Sequence, residues 1–173
     1  FSSDGTKVLT AEEFGTARLW NTETRELIRS FDMYDGEITS VALSPDGTKL
    51  LAGAPGGKTG VWTTDTGELI RSFEGHTDTV FSLAFAPEGT EVLTASSNKA
   101  RLWNLISGEH IRSFDGHTEN TSYAAFIPDE TAILTVTDGW VTIWNSVKGE
   151  RTRVFGGETT EVTGAALSSD GTK

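Results

Sequence analysis

Three histidines, His76, His110 and His117, and an abundance of carboxylates are the groups here that could move a proton or hold a metal. Acid–base chemistry needs an imidazole and a carboxylate, or two carboxylates, gathered in one place with different electrostatic surroundings. The pattern argues against such a gathering. His76 and His117 each follow a glycine, Gly75 or Gly116, and both belong to a recurring pattern, so they are two copies of one structural position. His110 stands outside that series, on a segment that reads as an outer strand, and is expected at the surface. Most carboxylates fall in turns at recurring positions, which favours solvation over pairing. No G-x-S-x-G, H-E-x-x-H, phosphate-loop or dinucleotide motif occurs. Cysteine is absent, which removes disulfides, thiolate nucleophiles and cysteine-ligated zinc. The expectation is therefore no catalytic residue, no metal and no cofactor.

The elements that would position these residues are set by a repeat. Trp20, Trp62, Trp103 and Trp144 recur at a nearly constant interval, and Phe31, Phe73, Phe114 and Phe155 keep the same rhythm. A third series marks turns: Asp4-Gly5-Thr6, Asp46-Gly47-Thr48, Glu88-Gly89-Thr90, Asp129-Glu130-Thr131 and Asp170-Gly171-Thr172. Three markers in one phase define a unit. In the unit around Trp103, residues 80–85, 91–95, 100–104 and 109–114 each read as a short β-strand, separated by Gly, Pro, Ser and Asp turns. Helical periodicity is missing. The architecture expected is all-β, from four antiparallel four-stranded units.

The pairs Gly75-His76 and Gly116-His117, followed at matching distances by Leu102-Trp103-Asn104 and Ile143-Trp144-Asn145, resemble the WD-repeat (WD40) family. Thr16-Ala17-Arg18-Leu19-Trp20 looks like the same third-strand motif. The resemblance covers essentially the whole chain. It implies a β-propeller whose blades are radial four-stranded sheets, and a recognition platform without catalysis. It also implies a structural tetrad of His, Ser/Thr, Asp and Trp. His117, Thr135, Asp138 and Trp144 supply a complete set, whereas His76, Thr94 and Trp103 form a partial one without the Asp. Trp20 and Trp62 are the equivalent packing tryptophans. The chain departs from the family in placing Asn21, Thr63, Asn104 and Asn145 where Asp often follows Trp. Met33-Tyr34 and Gly157-Glu158 replace Gly-His in two units.

Blades are expected at about 1–32, 33–74, 75–115 and 116–156 within one unit spanning 1–173. The first lacks its innermost strand, and residues 162–168 read as a strand without a sheet of its own. Unpaired backbone groups favour closure. Two chains joined head to tail would make an eight-bladed ring, a C2 homodimer formed by terminal strand exchange, and this is the favoured reading. A four-bladed monomer and part of a longer propeller, purely structural and without a ligand of its own, remain open alternatives. An enzyme with a site in the central channel is a weaker one.

Three aromatics break the repeat and make a candidate binding face for a protein or peptide: Phe14, Tyr34 and Trp140. Unrelated substitutions in decaying repeats are the alternative. Arg29, Arg71, Arg112 and Arg153 each precede the fourth-strand Phe by two and are expected to guard exposed strand edges. With 14 basic and 25 acidic residues, net charge −11, the chain repels phosphate backbones and anionic membranes. No run is long and apolar enough for a membrane helix. The function expected is a non-catalytic interaction scaffold, with a cytoplasmic location.

Overall fold

The computed structural model describes residues 1–12, 14–97, 99–115, 121–128, 131–137 and 139–156. They form four antiparallel sheets in chain order. The first has three strands, β1 (Lys7–Ala11), β2 (Thr16–Asn21) and β3 (Leu27–Asp32). The second comprises β4 (Ser40–Leu43), β5 (Lys49–Gly53), β6 (Thr59–Thr63) and β7 (Leu69–Ser72). The third is β8 (Val80–Phe85), β9 (Glu91–Ser96), β10 (Lys99–Asn104) and β11 (His110–Asp115). The fourth is β12 (Thr121–Ile127), β13 (Ala132–Thr137), β14 (Trp140–Asn145) and β15 (Arg151–Gly156). Each is a meander, because short β-prone runs joined by tight turns pair with their sequence neighbours. The strands expected around Trp103 appear within a residue at each end. The strand expected at 162–168, and with it the completion of the first sheet, lies outside the described residues.

The turns explain why the register holds. Before β1, the Asp4 carboxylate accepts from the Thr6 N–H at 3.0 Å and the Ser2 hydroxyl at 2.6 Å. Asp46 does the same for Thr48 and Ser44 between β4 and β5. These hydrogen bonds favour the charged carboxylate, holding Asp4 at about 2 and Asp46 further below the usual range. The turn after three of the four Trp strands is closed differently. Asn21, Asn104 and Asn145 accept two backbone N–H groups each through the side-chain oxygen. An asparagine amide oxygen caps this turn as a carboxylate would, so the replaced Asp costs the fold nothing locally.

Packing runs between successive sheets. Alternation puts Leu19, Ala17 and Phe31 of the first sheet against Leu50, Ala52 and Trp62 of the second. Leu51, Val61 and Phe73 meet Val80, Val92 and Trp103. Leu93, Ala100, Leu102 and Phe114 meet Ala124, Ile133 and Trp144. Each joint therefore sets a fourth-strand Phe against the Trp of the next sheet. The ring centroids are 5.7 Å apart for Phe73–Trp103 and for Phe114–Trp144.

Candidate functional site

The best-defined polar cluster sits in the third sheet. Thr94 on β9 is fully buried, and Trp103, diagonal to it on β10, is nearly so. The Trp103 indole N–H donates to Thr94 Oγ1 at 2.8 Å, and His76 Nε2 lies 2.7 Å from the same oxygen. A hydroxyl accepts twice and donates once, so Thr94 can take the indole proton while donating to a neutral imidazole. Burial, with the cations of Arg101 and Lys99 nearby, pushes His76 down from 6.5 to about 4. Its ring meets Trp103 edge-on. A half-buried, neutral imidazole held through Nε2 to Thr94 braces Trp103, which is a structural use of the ring.

The other units vary this arrangement. In the fourth sheet, Trp144 Nε1 donates to buried Thr135 Oγ1 at 2.8 Å. His117 and Asp138, the remaining members of the expected tetrad, lie outside the described residues. In the first sheet Trp20 Nε1 donates to Thr10 Oγ1 at 3.0 Å, on a more open face. Thr10 sits on the second strand of its unit as Thr94 and Thr135 do, and its equal spacing from the turn threonine is the signal that marks it. In the second sheet Ala52, which has no hydroxyl, stands at the matching position, and Tyr34 takes over. Its ring packs edge-on against Trp62 at 5.7 Å, and its hydroxyl donates to the Ala52 carbonyl at 3.2 Å. Burial raises the Tyr34 phenol above its usual range. Tyr34 therefore turns inward and does not join Phe14 and Trp140 at the surface. Phe14, in the turn between β1 and β2, is 85% exposed, and Trp140, the first residue of β14 after the matching turn, is 41% exposed.

The arginines expected to guard edges reach across to the next sheet instead. Arg29 Nη1 donates to the Thr66 carbonyl at 3.4 Å, and Arg112 Nη1 to the Lys148 carbonyl at 3.1 Å. Their aliphatic stems are long enough to leave the strand edge and cover the neighbouring turn. His110 is exposed, as its outer-strand position implies, and contacts Ser113 and the rim of Trp103.

The repeated joint stops at both ends of the stack. Phe31, Phe73 and Phe114 are buried, but Phe155 is 51% exposed. At the other end, Trp20 is only half-buried and lines an open groove of about 470 Å³ with Phe1, Val8, Thr10 and Arg25.

Comparison with protein families matches residues 25–63, 67–104 and 108–145 to "WD domain, G-beta repeat". The chain belongs to the WD40 family. Each matched WD40 repeat runs from an outer strand of one sheet into the three inner strands of the next, so the sequence unit itself straddles a joint. The WD40 blades form a β-propeller architecture whose general role is to scaffold protein interactions, and the chain is read as non-catalytic on that ground. Among the described residues, no three His, Asp or Glu stand close enough to hold a metal. Nor is any helix among them long and apolar enough to cross a membrane. No characterised protein matches the chain closely enough to stand as a relative.

Proposed function

We propose that the chain is a self-assembling WD40 scaffold, in which two copies join head to tail into an eight-bladed ring. The carrying observation is the interrupted joint. Every internal Phe of the series is buried, whereas Phe155 is exposed and Trp20 borders an open groove. The far face of the fourth sheet and the near face of the first are thus the two halves of one recurring interface. The inner edge of β1 is also unpaired among the described residues, and the sequence of 162–168 is that of an innermost strand. Strand exchange would pair that edge and seat Phe155 of one copy on Trp20 of the other.

Phe14 and Trp140 would then mark the recognition face. Phe14 lies in the turn before β2 and Trp140 begins β14 after the matching turn of the fourth sheet, so ring closure brings the blades that carry them next to each other across the seam between copies. Exposed aromatics held on rigid turns make economical anchors for a protein or peptide. Light scattering after size-exclusion chromatography, over a dilution series, tests the assembly. A stable mass of about 37 kDa, twice the 18.6 kDa chain, is expected, and Phe155→Ala should return it to the single-chain value. A concentration-independent 18.6 kDa species would refute the ring of two chains.

A further inference from the structure

The three internal joints share one device besides the Phe–Trp pair. An arginine from the outermost strand of each sheet lies over a glycine in the next sheet's turn: Arg29 over Gly67, Arg71 over Gly108, Arg112 over Gly149. A Cβ on those glycines would stand 3.5, 2.6 and 2.9 Å from the arginine Cδ. The same glycines have φ of 79°, 75° and 75°, so the turn wants a residue at ease in the left-handed region and the arginine wants the empty space. Both requirements converge on glycine.

The first sheet breaks the series. Arg25 occupies the matching turn position with φ 63°, and it is the single non-glycine residue of positive φ among those described. It is exposed and lines the open groove beside Trp20. At the opposite end, Arg153 on β15 stands where Arg29, Arg71 and Arg112 stand, and it too is exposed. Extending the internal joint across the ends would lay one arginine over another.

We infer that Arg25 opposes Arg153 of a second copy, making the joint between copies the weakest in the ring and one that salt tightens. The inference rests on the head-to-tail reading above. At the internal joints the arginine side chain meets a bare glycine, and at two of them, through Arg29 and Arg112, the guanidinium also meets a carbonyl oxygen. At the joint between copies it meets a second guanidinium together with the Cβ that the glycine omits. Like charges in contact at a surface repel, and the repulsion is screened at ordinary ionic strength. A ring of two chains contains two such joints, so the effect counts twice. The copies can then part while the blades within each chain stay folded. Arg25 is accordingly a specificity-determining residue. It makes the groove a better seat for an outer strand without arginine, so the ring can exchange a second copy for another WD40 partner of that kind.

The experiment measures the dimer dissociation constant of the full 173-residue chain by sedimentation, at low and high salt, for wild type, Arg25→Gly and Arg25→Gln. Arg25→Gly should tighten the dimer about tenfold at low salt, counting two joints. It should also flatten the salt dependence. The sign is diagnostic, because removing a positive charge from a chain of net charge −11 would otherwise weaken self-association. Arg25→Gln separates charge from shape: most of the gain should survive in it. A dimer that Arg25→Gly leaves unchanged or loosens overturns the inference while sparing the ring. Chains that remain monomeric in every variant and salt overturn both.

Discussion

Thr94→Val is the sharpest probe of the polar cluster that fixes Trp103. Valine keeps the shape of threonine and removes only the hydroxyl. Thr94 is 0% exposed and Trp103 2%, so no water replaces the lost acceptor for the indole N–H. A buried donor left without a partner costs about 1–3 kcal/mol. His76 loses its 2.7 Å contact too, but being half-buried it can turn toward water, which adds a few tenths at most. The sum is about 1–3 kcal/mol, or a fall in Tm of roughly 2–12 °C for a chain of this size. The control is Thr10→Val, which removes the matching acceptor of Trp20 from an exposed threonine; there water substitutes, and the cost stays below about 0.5 kcal/mol. Urea unfolding followed by tryptophan fluorescence, in dilute solution where the first sheet's face is open, gives both midpoints. Equal costs for the two variants would refute the claim that burial, not the hydrogen bond itself, makes the cluster important.

Three further outcomes follow from the same contacts. Phe114→Ala should cost about 3–5 kcal/mol by denaturant titration, because a fully buried ring leaves a cavity against Trp144, whereas Phe155→Ala should change the stability of the single chain by under about 1 kcal/mol. Gly57→Ala should destabilise by about 3 kcal/mol or more, read from expression and thermal melting, since φ is 77° and a Cβ would overlap the His76 carbonyl oxygen. His76 is depressed from 6.5 to about 4, so the unfolded chain binds its proton first and the neutral imidazole's contribution, complete above pH 6.5, is lost as pH falls toward 4. His76→Gln should therefore show a shallower loss of stability over that window than wild type, and parallel curves would contradict the assignment.

The repeat was legible because its markers are the residues that the joints cannot do without. A Trp on the third strand and a Phe on the fourth must recur for each sheet to pack on the next, so their spacing alone revealed the sheets. What the sequence did not show was which way side chains turn when a repeat position changes identity. Tyr34 read as a surface aromatic because it replaces a histidine in a loop. It packs inward because Ala52, short and without a hydroxyl, leaves room beside Trp62, and the Ala52 carbonyl accepts its hydroxyl. The arginines before each Phe read as edge guards because charge on an outer strand has that general use. Their actual target, a glycine almost a full repeat onward in the next sheet's turn, is a contact between repeats, and periodicity within one unit cannot signal it.

Because the hydrophobic clusters among the described residues join successive sheets, stability should not be even along the chain. A blade with both faces covered gains two joints, while an end blade gains one. The tryptophans record this gradient. Trp103 and Trp144 are 2% exposed and Trp62 7%, while Trp20 on the outermost face remains half-open. Amide exchange should then be slowest in β9 and β10, whose sheet is packed on both sides, and fastest in β1–β3. Ring closure by a second copy would supply the missing joint and raise protection in β1–β3 selectively. That selective rise separates closure from unspecific clustering. Association through scattered surface contacts would leave the first sheet the fastest to exchange, whatever the mass of the particle.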